Sequence, residues 1–235
     1  MTNLGDIYNQ VVFLLGKDKV GGYVSPLNFN EAVKLVSTTY LDNLVGIFEQ
    51  TKEISSELQL LIKTAGNANN VPIEIDAYGY GAIPSDYRYH ARSGYTQFYN
   101  SSCTAEQKYT TIEFVSQHEF DHRMDVEMYK PDANNPIWIF EDGKIRVSPV
   151  IPRFQFTYIR KAATPYFDYD IIDGEAVYLP VGSVHVNNSV EPLGSASLSV
   201  EFEFPTSCYP ELVNMLVKYF AIGNREDFNI KVPNE

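Results

Sequence analysis

The sequence predicts an α+β protein, in which N-terminal helices and a C-terminal helix pack together beside an antiparallel sheet domain of β-sandwich or barrel-like form. Apolar residues recur at helical spacing over residues 1–66, and the period changes to two beyond Asn70. A strongly apolar helical stretch then follows Pro205. With 235 residues, 44% of them hydrophobic, the chain can bury a core without disulfide or metal staples.

The N-terminal region, residues 1–66, is predicted to be helical. Residues 4–15 repeat apolar side chains every three or four positions, which predicts a short amphipathic helix. Asn28, followed by Glu31, forms a capping-box-like start for a longer second helix. Residues 53–64 predict a third helical piece, which ends at the stretch AGNANN.

Residues 70–204 are predicted to form the antiparallel sheet domain, with a short inserted helix near residues 117–124. Asp142-Gly143 and Asp173-Gly174 lie between apolar stretches and favour tight hairpin turns. Two later stretches alternate in the manner of half-buried strands. Their predicted apolar faces are Phe154, Phe156 and Tyr158 in the first stretch, and Leu198, Val200, Phe202 and Phe204 in the second.

The last predicted element is a C-terminal helix over residues 207–223. Ser207 or Cys208 can cap this helix, Pro210 suits its first turn, and a broad apolar face follows. A helix this apolar needs a partner surface, so we expect it to pack on the N-terminal helices. Residues 224–235 are predicted to be an exposed tail.

The balance of charge argues against two classes of function. Thirty acidic residues against eighteen basic ones give a net charge of −12, which repels nucleic-acid phosphates and anionic membrane surfaces. No apolar stretch approaches the ~18 residues of a membrane-spanning helix, and we expect no secretory signal. Cys103 and Cys208 have no disulfide or metal spacing, and they are interpreted as free thiols in a reducing compartment.

The sequence HEFDH at residues 118–122 matches the zinc motif H-E-x-x-H. On a helix it would place His118 and His122 on one face for zinc, with Glu119 beside a bound water. A zinc-dependent hydrolase is therefore an alternative function. The downstream sequence supplies no third histidine of the kind that related motifs use. Ser116 and Glu119 also form a simple capping box, which gives Glu119 a structural task at a helix start.

No other motif indicates a reaction. The sequence contains no G-x-G-x-x-G, no P-loop and no G-x-S-x-G. Glu201 and Glu203 are interpreted as the solvent face of a strand and not as a glycosidase pair. We therefore expect no catalytic site, no cofactor and no bound metal.

The chain contains 17 tyrosines, and aromatic residues cluster in one segment that is rich in Gly, Ser and Asn. Because Tyr combines a large contact area with a polar tip, this segment is a candidate interface. The candidate interface residues are Tyr78, Tyr80, Tyr95, Phe98 and Tyr99. Two alternatives stay open: a β-rich carbohydrate- or protein-binding module, or aromatic side chains that only fill strand and loop packing.

Several stretches, taken in order, span nearly the whole chain and share a pattern with one family. They are LLGKDKVGGYVSPLNFN, IPSDYRYH, TIEFVSQHEFDHRM with the following KPDANNPIW, IRVSPVIPRFQFTYIRKAATP, and VEFEFPTSCYPELVNMLVKYF. The chain resembles the ring, or neck, proteins of the head-to-tail connector in crAss-like podoviruses that infect Bacteroidetes. Within that resemblance, Glu119, Phe120, Asp121 and Arg123 fall in a segment that such proteins use structurally, without a matching pair of histidines.

The resemblance implies a virion component, made in the host bacterial cytoplasm, that assembles below the portal vertex into a closed, twelve-fold ring. The partners it implies are other copies of the chain, the portal, and neighbouring ring or tail proteins, with no membrane. Packaged DNA would pass through such a ring without sequence-specific binding. Net acidity fits this expectation, because a lumen that repels phosphate lets duplex slide where a basic lining would hold it.

Overall fold

The chain forms two compact units, which we call the helical unit (Met1–Leu60 with Ala162–Glu235) and the sheet unit (Leu61–Lys161). The structure is a computed structural model. It describes residues 3–16, 24–51, 53, 55–64, 73–101, 104–151, 153–188 and 190–229, and within these it leaves out the side chains of 97–101, 104–108 and 222–229. The predicted α+β class is confirmed. Each sheet is open, which corrects the barrel-like alternative.

The helices and strands of the described residues are numbered in chain order. The helices are α1 (Leu4–Leu14), α2 (Pro26–Thr51), α3 (Gln117–Asp125) and α4 (Tyr209–Asn229). The strands are β1 (Ile62–Thr64), β2 (Ile73–Glu74), β3 (Tyr80–Ala82), β4 (Tyr87–Ser101), β5 (Thr104–Thr111), β6 (Glu113–Phe114), β7 (Ile137–Glu141), β8 (Lys144–Ser148), β9 (Arg153–Arg160), β10 (Tyr169–Ile172) and β11 (Glu175–Tyr178). None of these described helices is long and apolar enough to span a membrane.

In the helical unit, α4 packs on α1 and α2, so the predicted contact between helices from the two chain ends is confirmed. An aromatic trio of Tyr8, Phe29 and Phe167 joins α1 and α2 to the segment that follows the sheet unit, with ring centroids 4.8–5.3 Å apart. The side chain of Asn30 fastens the same junction, because its amide donates to Phe167 O at 3.0 Å and accepts from Phe167 N at 2.7 Å.

The start of α2 differs from the prediction. The helix begins at Pro26, and Ser25 Oγ accepts a hydrogen bond from Asn28 N at 3.1 Å. Ser25 is therefore the N-cap in place of Asn28, and proline occupies the first helical position, where its missing amide costs nothing.

The predicted helical piece over residues 53–64 is wrong, because the described residues of this stretch contain no α-helix. One 3₁₀ turn covers Gln59–Leu61, and the chain then enters β1, in which Ile62 pairs with Ile159 of β9. Pairing with the distant strand β9 outweighs the local helix propensity of these residues. At the other end of the chain, α4 continues to Asn229 and so takes in part of the predicted tail, while residues 230–235 lie outside the described residues.

The sheet unit contains two sheets that share one apolar core. One has the strand order β1-β9-β4-β5, with β2 also on β9, and the other has the order β3-β8-β7-β6, in which β6 and β7 are parallel. Trp138 and Phe156 meet in the core with ring centroids 5.5 Å apart, nearly at right angles. The predicted apolar face of β9 is confirmed, because Phe154, Phe156 and Tyr158 are all fully buried.

Residues 162–204 were predicted to belong to the sheet domain, but they cluster with the helices. The stretch SLSVEFEF is no regular strand: Val200 bridges Tyr166, and Leu198 is exposed. In place of a regular strand ladder, side chains accept hydrogen bonds from backbone amides of this stretch. Leu198 N donates to Asp168, and Ser199 N donates to Ser197 Oγ. The two-stranded sheet β10-β11 belongs to this segment.

Candidate functional site

The candidate interface begins at a tight turn that presents Tyr78 to solvent. Asp76 Oδ1 accepts hydrogen bonds from Tyr78 N at 2.9 Å and from Tyr80 N at 2.8 Å, and Gly79 has a positive φ of 90°. A side chain at Gly79 would be strained, and its Cβ would meet Val147 O at 2.7 Å. The turn is thus held by its own hydrogen bonds, and it leaves Tyr78 83% exposed.

Tyr80 lies in a charged setting on β3. Its hydroxyl donates to Glu141 Oε2 at 2.8 Å, and this hydrogen bond raises the pKa of Tyr80. Arg146 pairs with the same carboxylate at 3.1 Å and lies 5.6 Å from the Tyr80 ring centroid. Tyr80 is therefore fixed in place, and its half-buried ring is a rigid neighbour of the exposed Tyr78.

The other candidate interface residues differ from the prediction. Tyr95 is only 7% exposed, and its hydroxyl donates to Ala133 O, so Tyr95 is a core residue of the sheet unit. A period of two shows which residues share a face but not which face is covered. Phe98 and Tyr99 lie in β4, and their side chains lie outside the described part of the chain.

Strands β4 and β5 form a ribbon that continues past the sheet. Pairing between β9 and β4 ends at Gly94 opposite Gln155, whereas β4 and β5 stay paired from Gly94 as far as Ser101. Beyond Gly94, β4 has no second strand partner among the described residues. We call residues 95–101 and 104–110 the ribbon; at about 3.4 Å per residue it is about 24 Å long.

The edges of the ribbon are open to pairing with another strand. Both of its edges carry backbone amide and carbonyl groups that no described strand pairs, and a two-stranded ribbon by itself is marginally stable. Free strand edges are sites at which another chain can add. The ribbon is therefore the strongest candidate in the sheet unit for contact with another protein.

The H-E-x-x-H motif lies on α3, where Glu119 takes part in the N-terminal cap and in an ion pair of the helix. Ser116 Oγ accepts from Glu119 N at 3.3 Å, so the predicted cap is confirmed. The carboxylate of Glu119 forms an ion pair with Arg123, which also bonds Glu113 at 2.8 Å. His118 is exposed, and His122 stacks on Tyr129 with centroids 6.1 Å apart.

An open groove of about 580 Å³ lies beside this motif. Its lining includes Glu119, His122, Arg123, Met128, Tyr129 and Asp132. Among the described residues, no three His, Cys, Asp or Glu side chains are grouped so as to hold a metal ion. Within the described part of the chain, the motif therefore has no third ligand of the kind that a catalytic zinc needs.

A buried charged cluster in the helical unit was not predicted. His185 is 1% exposed and lies between Asp170 (Nδ1 to Oδ1, 2.7 Å) and Asp168 (Nε2 to Oδ2, 3.1 Å). The hydrogen bond to Asp170 raises the pKa of His185, and the bond from Val186 N lowers the pKa of Asp170. The sequence signal is only a D-x-D pattern and a histidine 15 residues later, which does not indicate burial.

Comparison with known proteins does not assign this chain to a family: no family model matches it, and no curated protein matches it significantly. The buried cluster of His185 is closed to solvent, and the histidines of α3 belong to a capped helix with an ion pair. Tyr78 offers an exposed aromatic side chain, and the ribbon offers edges that no described strand pairs.

Proposed function

We propose that this chain is a non-enzymatic structural subunit of a phage virion. It forms part of a rotationally symmetric ring in the portal-proximal neck, which connects head to tail and surrounds the DNA channel. The observation that carries the proposal is the ribbon of β4 and β5, whose free edges need a partner. The order of the sequence stretches, which resembles that of connector ring proteins, supports the same function.

A ring subunit needs two different surfaces that meet head to tail, so that a rotation closes the assembly. A ribbon whose edges no described strand pairs supports this kind of contact, because another chain can add to such an edge. Exposed Tyr78 adds aromatic contact area, and Tyr is enriched in interface cores. The partners in this proposal are the other copies of the chain in a twelve-fold ring, the portal, and neighbouring ring or tail proteins.

The charge distribution also fits an enclosure for DNA. Residues 1–60 and 162–235 carry eighteen acidic against seven basic residues, whereas residues 61–161 carry twelve against eleven. The net charge of −12 is thus almost entirely that of the helical unit. An acidic wall repels phosphate and lets a duplex slide, which a channel requires.

The proposal is tested on particles. Mass spectrometry of purified virions should detect the chain at a fixed stoichiometry, and cryo-electron microscopy should locate it in a ring between portal and tail. Absence of the chain from virions, or its presence only as a monomer in infected cells, would contradict the proposed function.

A variant sharpens this test. Residues 99–106 are removed, and Phe98 is joined to Gln107 by Asn-Gly, a dipeptide that suits a two-residue hairpin. Because Phe98 pairs with Gln107, the shortened ribbon keeps its register. We expect a folded chain that no longer enters particles. A matched control replaces only Asp142-Gly143 with Asn-Gly in the β7-β8 hairpin, and this control should still enter particles.

A further inference from the structure

The backbone groups on the two edges of the ribbon follow a fixed alternation. Ile112, next to β5, donates from its amide to Ser93 O at 3.2 Å, which makes these two residues a hydrogen-bonded pair. Hydrogen-bonded and non-hydrogen-bonded pairs alternate along an antiparallel ladder, so every second residue points its amide and carbonyl away from the partner strand. These outward residues are Thr96, Phe98 and Asn100 on β4, and Ala105, Gln107 and Tyr109 on β5.

The ribbon carries few of the features that protect a free strand edge. Proteins usually block such an edge with charged residues, proline or a bulge. Residues 95–101 contain no charged residue, residues 104–110 contain one Glu and one Lys, and neither segment contains Pro or Gly. The register between β4 and β5 does not shift between Gly94 and Ser101. The ribbon is thus neutral in a chain of net charge −12, and two ribbons can meet without repelling each other.

We propose that the ribbon pairs head to tail with further copies of this chain, so that the β5 edge of one copy forms a ladder with the β4 edge of the next. This inference deepens the proposed function and rests on it, because a ring needs two different surfaces that meet between neighbouring copies. Each copy offers both edges and can therefore join two neighbours.

The pairing within one copy shows that the two strands fit each other. There β4 and β5 form eight consecutive antiparallel pairs, among them Tyr95 opposite Thr110 and Thr96 opposite Tyr109. Aromatic and β-branched residues are favourable neighbours across a ladder. The same register between two copies would set the three outward residues of β4 opposite the three outward residues of β5. A second copy therefore supplies a matching strand for each edge.

A two-fold contact between identical edges is the competing arrangement. It would pair β5 with β5, or β4 with β4, and leave the other edge of each copy without a partner. The head-to-tail contact pairs both edges. The two arrangements therefore differ in what happens when only one edge is blocked.

Proline blocks one edge at a time. At an outward position it removes an amide that takes no part in the ladder of the single copy, so the ribbon should still form. Gln107→Pro blocks the β5 edge, and Asn100→Pro blocks the β4 edge. The matched controls Gln107→Thr and Asn100→Thr keep the backbone amide and suit a strand, and they should assemble like the wild type.

Sedimentation velocity of the purified full chain over a wide concentration range measures self-association. Each proline variant alone should associate with a dissociation constant more than tenfold above that of the wild type. An equimolar mixture of the two variants should form a one-to-one dimer that grows no further, because each variant keeps the edge that the other lacks. A two-fold contact predicts instead that one of the variants dimerises alone.

Hydrogen exchange of the unmodified chain, resolved by residue with NMR, guards against variants that fail to fold. The amides of Phe98 and Gln107 should exchange more than tenfold more slowly once the chain assembles. The amides of Tyr99 and Glu106 already belong to the ladder of one copy and should change little. Pairing at an edge predicts this alternation along a strand, whereas coverage of a whole face would slow neighbouring amides alike.

Four results would overturn the inference: a wild type that stays monomeric at all concentrations, a proline variant that still dimerises alone, a mixture that does not associate, or equal slowing of neighbouring amides. Virion rings in which the ribbons do not pair with one another would overturn it and leave the proposed function intact. Head-to-tail oligomers of a chain that is absent from virions would support the strand contact and contradict the proposed function.

Discussion

The carboxylate of Glu201 accepts a hydrogen bond from the backbone amide of Leu4 at 2.6 Å, although 197 residues separate the two in the chain. The other carboxylate oxygen accepts from the Tyr178 hydroxyl. Amides in the first turn of a helix have no partner within the helix, and an anion there also interacts favourably with the helix dipole. Glu201 thus fastens the start of α1 to the segment that precedes α4.

Removal of this carboxylate should destabilise the protein. We expect Glu201→Ala to lower the free energy of unfolding by about 2 kcal/mol, since it leaves a partly buried amide and a tyrosine hydroxyl without their acceptor. Urea denaturation at neutral pH measures the change. Glu175→Ala, at an exposed position on β11, is the matched control and should stay within about 0.5 kcal/mol of the wild type. Equal effects of the two substitutions would contradict the role of Glu201.

Two helical glycines should respond to alanine in opposite directions. A Cβ at Gly5 in α1 would lie 2.6 Å from Tyr178 Cδ1, so Gly5→Ala forces a repacking that costs about 1–3 kcal/mol. Gly46 in α2 has open space around it, and Gly46→Ala should stabilise the protein by about 0.5–1 kcal/mol. Thermal unfolding of both variants checks the pair. A stabilising Gly5→Ala would show that α1 does not pack closely on Tyr178.

The features that could be predicted from sequence depend on neighbouring residues. The hairpins at Asp142-Gly143 and Asp173-Gly174 form because both residues of each turn have positive φ, 49° and 72° in the first turn and 53° and 87° in the second. Asp and Gly are among the few residues that accept this conformation. The capped helix at Ser116 and the buried face of β9 follow from equally local patterns.

The features that could not be predicted depend on distant partners. Residues 62–64 have helical character alone but pair with β9 nearly a hundred residues later. Glu201 was assigned to a solvent face and instead accepts from Leu4 N at the start of α1, and Glu203 accepts from Ala163 N at 2.6 Å. Of the candidate interface residues, Tyr78 is exposed and Tyr95 is buried. The sequence does not separate these two cases, because alternation alone does not distinguish the covered face of a strand from the open one.

We expect the purified chain to hold well below one zinc ion per molecule, as measured by plasma mass spectrometry after dialysis. Glu119 is engaged by Arg123, and the described residues supply no third ligand near His118 and His122. Glu119→Gln should lower the free energy of unfolding by about 0.5 kcal/mol, the usual contribution of an exposed pair of this spacing. One zinc per chain that is lost in His122→Ala would revive the hydrolase alternative.

Stability should decline as the pH rises above the ordinary range of histidine. Hydrogen bonding to Asp170 and Asp168 raises the pKa of buried His185 above its usual 6.5. A raised pKa in the folded state means that the contribution of His185 is complete below pH 6.5 and is lost as the pH rises through the folded-state pKa. The pKa of Asp170 is lowered, so its contribution is present above pH 3.8 and is lost in acid. Urea denaturation at pH values from 5 to 9 should show this decline in stability. The variant His185→Gln should flatten the decline. The control His118→Gln, a change at an exposed histidine, should leave the decline in place. A free energy of unfolding that stays level or increases over this range would show that His185 is neutral in the folded protein.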